Sequence, residues 1–127
     1  MARSRYARAR DFEYAVRDDM LKRNYLVVRS AGSKTPVDIY AFDVRSKVFI
    51  QCKTDGRLDT KEWNRFYKYC RSVDALPILA QRNSRGRGII YKLLTGLREP
   101  YGRKQYVDWI PERGERREIQ GADGERD

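Results

Sequence analysis

Gln51 and Lys53 stand two residues apart in the segment Lys47–Lys53, where Val48, Phe49 and Ile50 give the character of a strand. Side chains alternate between faces along a strand, so Gln51 and Lys53 point one way. Cys52 points the other way, into the core with Ile50. An amide and an ammonium side by side near a strand end have two readings. One is an exposed sheet edge. The other is a site where a side-chain oxygen binds a metal and the ammonium sits on a phosphate. Asp38 lies in a second apolar segment, Val37–Phe42, and the tight connection Asp43–Lys47 makes the two segments a hairpin that can bring Asp38 beside Gln51. An Asp followed later by Gln-x-Lys is common by chance, so support has to come from elsewhere. Glu13 offers it, next to the apolar stripe Phe12, Ala15, Val16 and Met20 of a helical segment.

Composition narrows the chemistry. The chain has 127 residues and no His, so there is no His base and no zinc site with His ligands. Cys52 and Cys70 are too few for a four-thiolate zinc site or a disulfide framework and read as reduced, buried thiols. Catalysis would rest on carboxylates, amides, Lys, Arg, Tyr or a metal held by oxygen. The net charge is +10. The last 17 residues hold four Arg and six acids, so the basic excess belongs to residues 1–110. Such a field attracts polyanions, nucleic acid first among them; a basic surface with no specific ligand is the alternative. No apolar run approaches the roughly 18 to 20 residues of a membrane span, and no apolar stretch follows the N-terminal Arg residues. Neither a membrane partner nor secretion is expected, which leaves an intracellular location in the cytoplasm or nucleoid. No small-molecule cofactor is called for.

The elements that would position these residues follow in a simple order. A helix is expected over Asp11–Asn24 and a strand over Tyr25–Arg29. Ser30–Pro36 is a loop, and the hairpin Val37–Phe42 and Lys47–Lys53 comes next. Asp59 or Thr60 caps a helix running to about Val73, with Trp63, Phe66, Tyr67 and Cys70 on one face. Leu76–Ala80 and Gly88–Leu94 are strands around the basic turn Arg82–Gly88. This pattern gives an α/β or α+β domain with a mixed five-stranded sheet flanked by helices. One domain spans residues 1–110, opening with a basic arm at 1–10 (Arg3, Arg5, Arg8, Arg10). The tail 111–127, with Gly114, Gly121, Gly124 and one aliphatic residue, Ile119, is expected to be disordered or loosely attached. Tyr101, Tyr106 and Trp109 suggest a short extension packing on the domain or a partner.

The helical Glu13, the string Val27-Val28-Arg29-Ser30-Ala31-Gly32-Ser33, then Val37-Asp38-Ile39 and Gln51-Cys52-Lys53 resemble, in that order, the archaeal-type Holliday junction resolvases, a branch of the PD-(D/E)xK nuclease superfamily. The resemblance covers about residues 8–94 and implies a restriction-endonuclease-like fold. It further implies a homodimer that nicks two opposed strands of a four-way DNA junction, with Mg2+ as cofactor and Mn2+ able to substitute. Carried over residue by residue, it makes Asp38 the main metal-binding carboxylate and Glu13 the helical acid completing the site. Gln51 holds the place of the second carboxylate, and Lys53 is the motif lysine. The Cys52 backbone carbonyl is a further metal ligand. Arg29, Ser30 and Ser33 match the loop that contacts the junction. Lys34, Arg57, Lys61, Arg82, Arg85 and Arg87 are candidate phosphate contacts, each equally readable as a solvated charge.

Three departures stand out. Tyr14 follows Glu13 where relatives often have Arg. Thr35-Pro36 lengthens the loop. Gln51 brings no charge where the family has an acid, although some restriction-type branches also use Gln-x-Lys. Another PD-(D/E)xK nuclease of restriction or repair type, and a catalytically disabled junction binder, therefore remain alternatives. An RNA-binding basic protein fits the charge but not the order of these residues.

Overall fold

The computed structural model describes residues 4–32 and 34–118. Helix α1 spans Arg5–Lys22, and the Ser4 hydroxyl caps it by accepting the Ala7 N–H at 3.0 Å. The expected basic arm is therefore helical from Arg5 onward; Arg3 lies outside the described residues. Phe12, Val16 and Met20, spaced at four, form the buried stripe of α1. Asn24, in the left-handed conformation at φ 69°, turns the chain into the sheet.

Six strands follow: β1 (Leu26–Arg29), β2 (Ile39–Phe42), β3 (Lys47–Cys52), β4 (Leu76–Arg82), β5 (Ile89–Leu94) and β6 (Tyr106–Trp109). They lie side by side in chain order. All neighbours are antiparallel except β3 and β4. That parallel pair exists because helix α2 (Thr60–Ser72) carries the chain back across the sheet between them. Asp59 starts α2 with a capping box: its side chain accepts the Glu62 N–H at 2.7 Å while the Glu62 carboxylate accepts the Asp59 N–H.

The helices cover opposite faces of the sheet. On the α1 side Ile39, Ala41, Val48, Ile50, Ile78, Ala80 and Tyr91 pack against Phe12, Val16 and Met20. On the α2 side Val37, Phe49, Leu79 and Leu94 pack against Trp63, Phe66 and Cys70. Trp63 and Phe66 are thus core residues, with Tyr67 packed against their cluster. Each such side chain contributes about 1.5–3 kcal/mol by leaving water. Both cysteines are free thiols, Cys70 buried and Cys52 half-buried.

The sheet has one strand more than the five expected. Tyr106–Trp109 pairs with β5, and the Trp109 ring stands edge-on to Tyr91 with centroids 5.9 Å apart. Tyr101 is fully exposed. Residues 111–115, at the start of the segment expected to be disordered or loosely attached, are hydrogen-bonded to the domain. Gly114 donates to Arg23 O, and its carbonyl accepts from the Asn24 side chain at 3.0 Å. Glu115 accepts the Val44 N–H at 2.8 Å and gives its own N–H to Asp43 Oδ2 at 3.0 Å. Residues 119–127 lie outside the described part of the chain.

Candidate functional site

The hairpin sets the geometry. Ile39 pairs with Ile50, and one step further the Asp38 N–H donates to Ile50 O at 2.9 Å, which puts Asp38 opposite Gln51. Asp38 Oδ2 accepts the Cys52 N–H at 2.8 Å, so the carboxylate is pinned across the strand pair. Its carbonyl accepts the Ser30 N–H at 2.8 Å, tying the serine loop to the same point.

Glu13 reaches this place from α1. Its Oε1 lies 3.1 Å from Arg29 Nε at the end of β1. The Arg29 guanidinium stacks on the Tyr14 ring at 4.7 Å, with Arg17 at the same distance from that ring. Glu13, Asp38 and Gln51 line two adjoining cavities, one of about 650 Å³ and one of about 350 Å³. The larger is completed by Arg29, Ser30, Lys61, Glu62 and Arg65 among others. The smaller takes in Cys52, Lys53 and Asp55. The Lys53 ammonium lies 3.2 Å from Glu62 Oε2.

Burial and the Asp38 charge both bear on how the two acids ionise. Burial pushes the Asp38 carboxyl above its ordinary range, against the pull of the Cys52 N–H, Lys53 and Arg29. Burial also raises Glu13, the Asp38 charge adds to the rise, and Arg29 opposes it. Burial and then the charges of Asp38 and Glu13 raise the Cys52 thiol far up, so it is not a thiolate nucleophile at neutral pH. Gln51 Oε1 is buried with no hydrogen-bond partner. An orphaned acceptor of this kind costs about 1–3 kcal/mol, which a donor or cation would remove. No group of three or more Asp, Glu, His or Cys side chains among the described residues is placed to hold a metal. Two carboxylates and the Gln51 amide oxygen are the hard donors available, a set suited to a small divalent cation.

The basic candidates divide. Arg29, Ser30 and Lys61 line the larger cavity. Lys34 is exposed on the neighbouring loop, where its carbonyl meets Arg65 Nη2 at 3.5 Å. Arg57 is exposed on the loop before α2. Arg82, Arg85 and Arg87 are exposed around the β4–β5 turn, with the Arg82 guanidinium 5.0 Å from the Phe12 ring centroid. These last four line neither cavity. Ser33 lies outside the described residues. Sequence reasoning missed Glu62 and Arg65, which stand three apart on the first turns of α2. The Asp59–Glu62 spacing signals a capping box, and that sufficient reason hides the carboxylate's second contact.

No family model matches the chain, and no curated protein does. Among solved structures it is similar to Archaeoglobus fulgidus Hjc, a Holliday junction resolvase from an archaeal hyperthermophile, at a TM-score of 0.60 and 20% identity. The match covers 77% of this chain and 86% of that one. The mixed α+β architecture, an open sheet flanked by helices, is the fold of that nuclease.

Proposed function

We propose that this chain is a metal-dependent endonuclease that resolves four-way DNA junctions. The observation that carries the reading is the convergence of Glu13, Asp38 and the unpartnered Gln51 oxygen on one place beside Lys53, in the order and fold of a junction resolvase. In this reading Asp38, Glu13, Gln51 and the Cys52 carbonyl hold Mg2+, or Mn2+ in its place. When bound, the ion supplies Lewis acidity and a more acidic water.

The chain's own groups do the rest. The Lys53 ammonium orients the attacking water and offsets charge that develops on the phosphate oxygens. Arg29 leads a basic wall that receives the phosphodiester. Selectivity for branched DNA needs no base contacts, only cationic surfaces at the separation of duplex arms. The exposed Arg57, Arg82, Arg85 and Arg87 outside the cavities supply such surfaces. Among the described residues one chain carries one such constellation, so paired nicks require two copies, a homodimer.

The test offers equal amounts of four-way junction, duplex, flap and single-stranded DNA with Mg2+. Junction cleavage in preference to plain duplex is expected. Equal cutting of duplex would point to a restriction- or repair-type nuclease instead. Asp38→Asn and Lys53→Ala should each lower cleavage at least about 100-fold while junction binding in gel shifts stays within a few-fold. The asparagine side chain keeps an acceptor for the Cys52 N–H, so folding is preserved. The neutral Gln51 favours one second reading, a junction binder without activity. Junction binding without cleavage in Mg2+ or Mn2+, and none in a Gln51→Glu variant, would establish it.

A further inference from the structure

We propose that Glu62, in the first turn of α2, is the positioning residue for Lys53. The inference rests on the nuclease reading above. Lysine is a point charge on a flexible stem, and Lys53 has carboxylates within reach on two sides. On one side is Asp38, whose titration its charge already affects. On the other is Glu62, at 3.2 Å. If the ammonium swung onto Asp38 it would occupy the place a cation needs. The Glu62 pair keeps it at the boundary between the two cavities, since Glu62 lines the larger and Lys53 the smaller.

Stability does not account for the pair. Both side chains are more than a third exposed, 35% and 41%, and exposed pairs of this kind contribute little to folding. Glu62 is itself held from behind. Its N–H is given to Asp59 Oδ1 at 2.7 Å, and its Oε1 accepts the Asp59 N–H at a long 3.5 Å. One carboxylate oxygen therefore serves the helix cap weakly, and the other serves the lysine at closer range. The start of α2 is fixed by its own cap, so it is a rigid post for the lysine.

Glu62→Gln separates the two roles, because glutamine also completes a capping box but carries no charge. The expected result is an unchanged melting temperature, junction affinity within about twofold, and single-turnover cleavage slower by about tenfold or more. Acylation of Lys53 by acetic anhydride, read by peptide mass spectrometry on DNA-free protein, should become several-fold faster. A cleavage rate within twofold of wild type, or unchanged Lys53 acylation, overturns the proposal while leaving the nuclease reading intact. Wild-type protein that binds junctions but never cuts them, in Mg2+ or Mn2+, overturns the nuclease reading and this role with it.

Discussion

An amide oxygen at Gln51 meets a cation with its dipole alone, whereas a carboxylate would bring a full charge. Burial already makes both Glu13 and Asp38 harder to ionise, and the Asp38 charge adds to the difficulty at Glu13. A third carboxylate would add repulsion when the site is empty and attraction when a cation fills it. Gln51→Glu should therefore melt lower than wild type in EDTA and higher than wild type in excess Mg2+. Calorimetric titration of DNA-free protein should show metal binding tightened by about tenfold. A variant whose melting point is the same with and without metal would remove the Gln51 oxygen from the metal site.

At the scale of elements, the turn after β3 limits what can follow Lys53. The Gly56 N–H closes the turn on Lys53 O at 2.8 Å, and Gly56 sits at φ +72°. A Cβ there would lie 2.3 Å from Gln81 Oε1. Gly56→Ala should lower unfolding stability by about 1–2 kcal/mol in a urea titration. Gly86→Ala, with no atom within 4 Å of its Cβ, is the control expected to change little. Elements governed by local chemistry were legible in the sequence. The cap at Asp59, the hairpin joining Asp38 to Gln51, and the apolar stripe of α1 all declare themselves within a few residues. The first turns of α1 did not, because Arg5, Arg8 and Arg10 look like an arm until Ser4 is seen to cap them. Strand β6 did not either: Tyr106–Trp109 becomes a strand by pairing with β5, a cause outside its own four residues. Within the site, the pairing of Asp38 with Gln51 was readable from the hairpin. The Lys53–Glu62 pair depends on how α2 sits over the sheet, which no spacing records.

The whole molecule is closed at the end of the sheet remote from the motif end of β3. There the chain from Pro111 to Glu115 bridges the end of α1 and the β2–β3 turn. Its composition, rich in Arg, Glu and Gly, reads as a loose tail; what holds it are hydrogen bonds from its main chain to backbone groups of Arg23 and Val44 and to the Arg23, Asn24, Asp43 and Arg45 side chains, which composition does not show. Asp43 is the centre of this closure. Its side chain is fully shielded and accepts from the Arg45 and Ser46 N–H groups, the Ser46 hydroxyl, the Arg45 guanidinium and the Glu115 N–H. Burial alone would raise its carboxyl, but these donors bring it down to about 2. A folded-state value below the unfolded one, about 3.9, means the carboxylate form favours folding. The stabilisation is present in full above about pH 4 and fades as pH falls toward 2. Asp43→Asn should then melt lower than wild type by on the order of 5 °C at pH 7. That gap should shrink to a small part of itself as the pH is taken to 2, where Asp43 in the folded wild type is about half protonated. A gap that stays constant from pH 7 to pH 2 would show that the shape of the turn, and not the charge of Asp43, holds the strap to the domain.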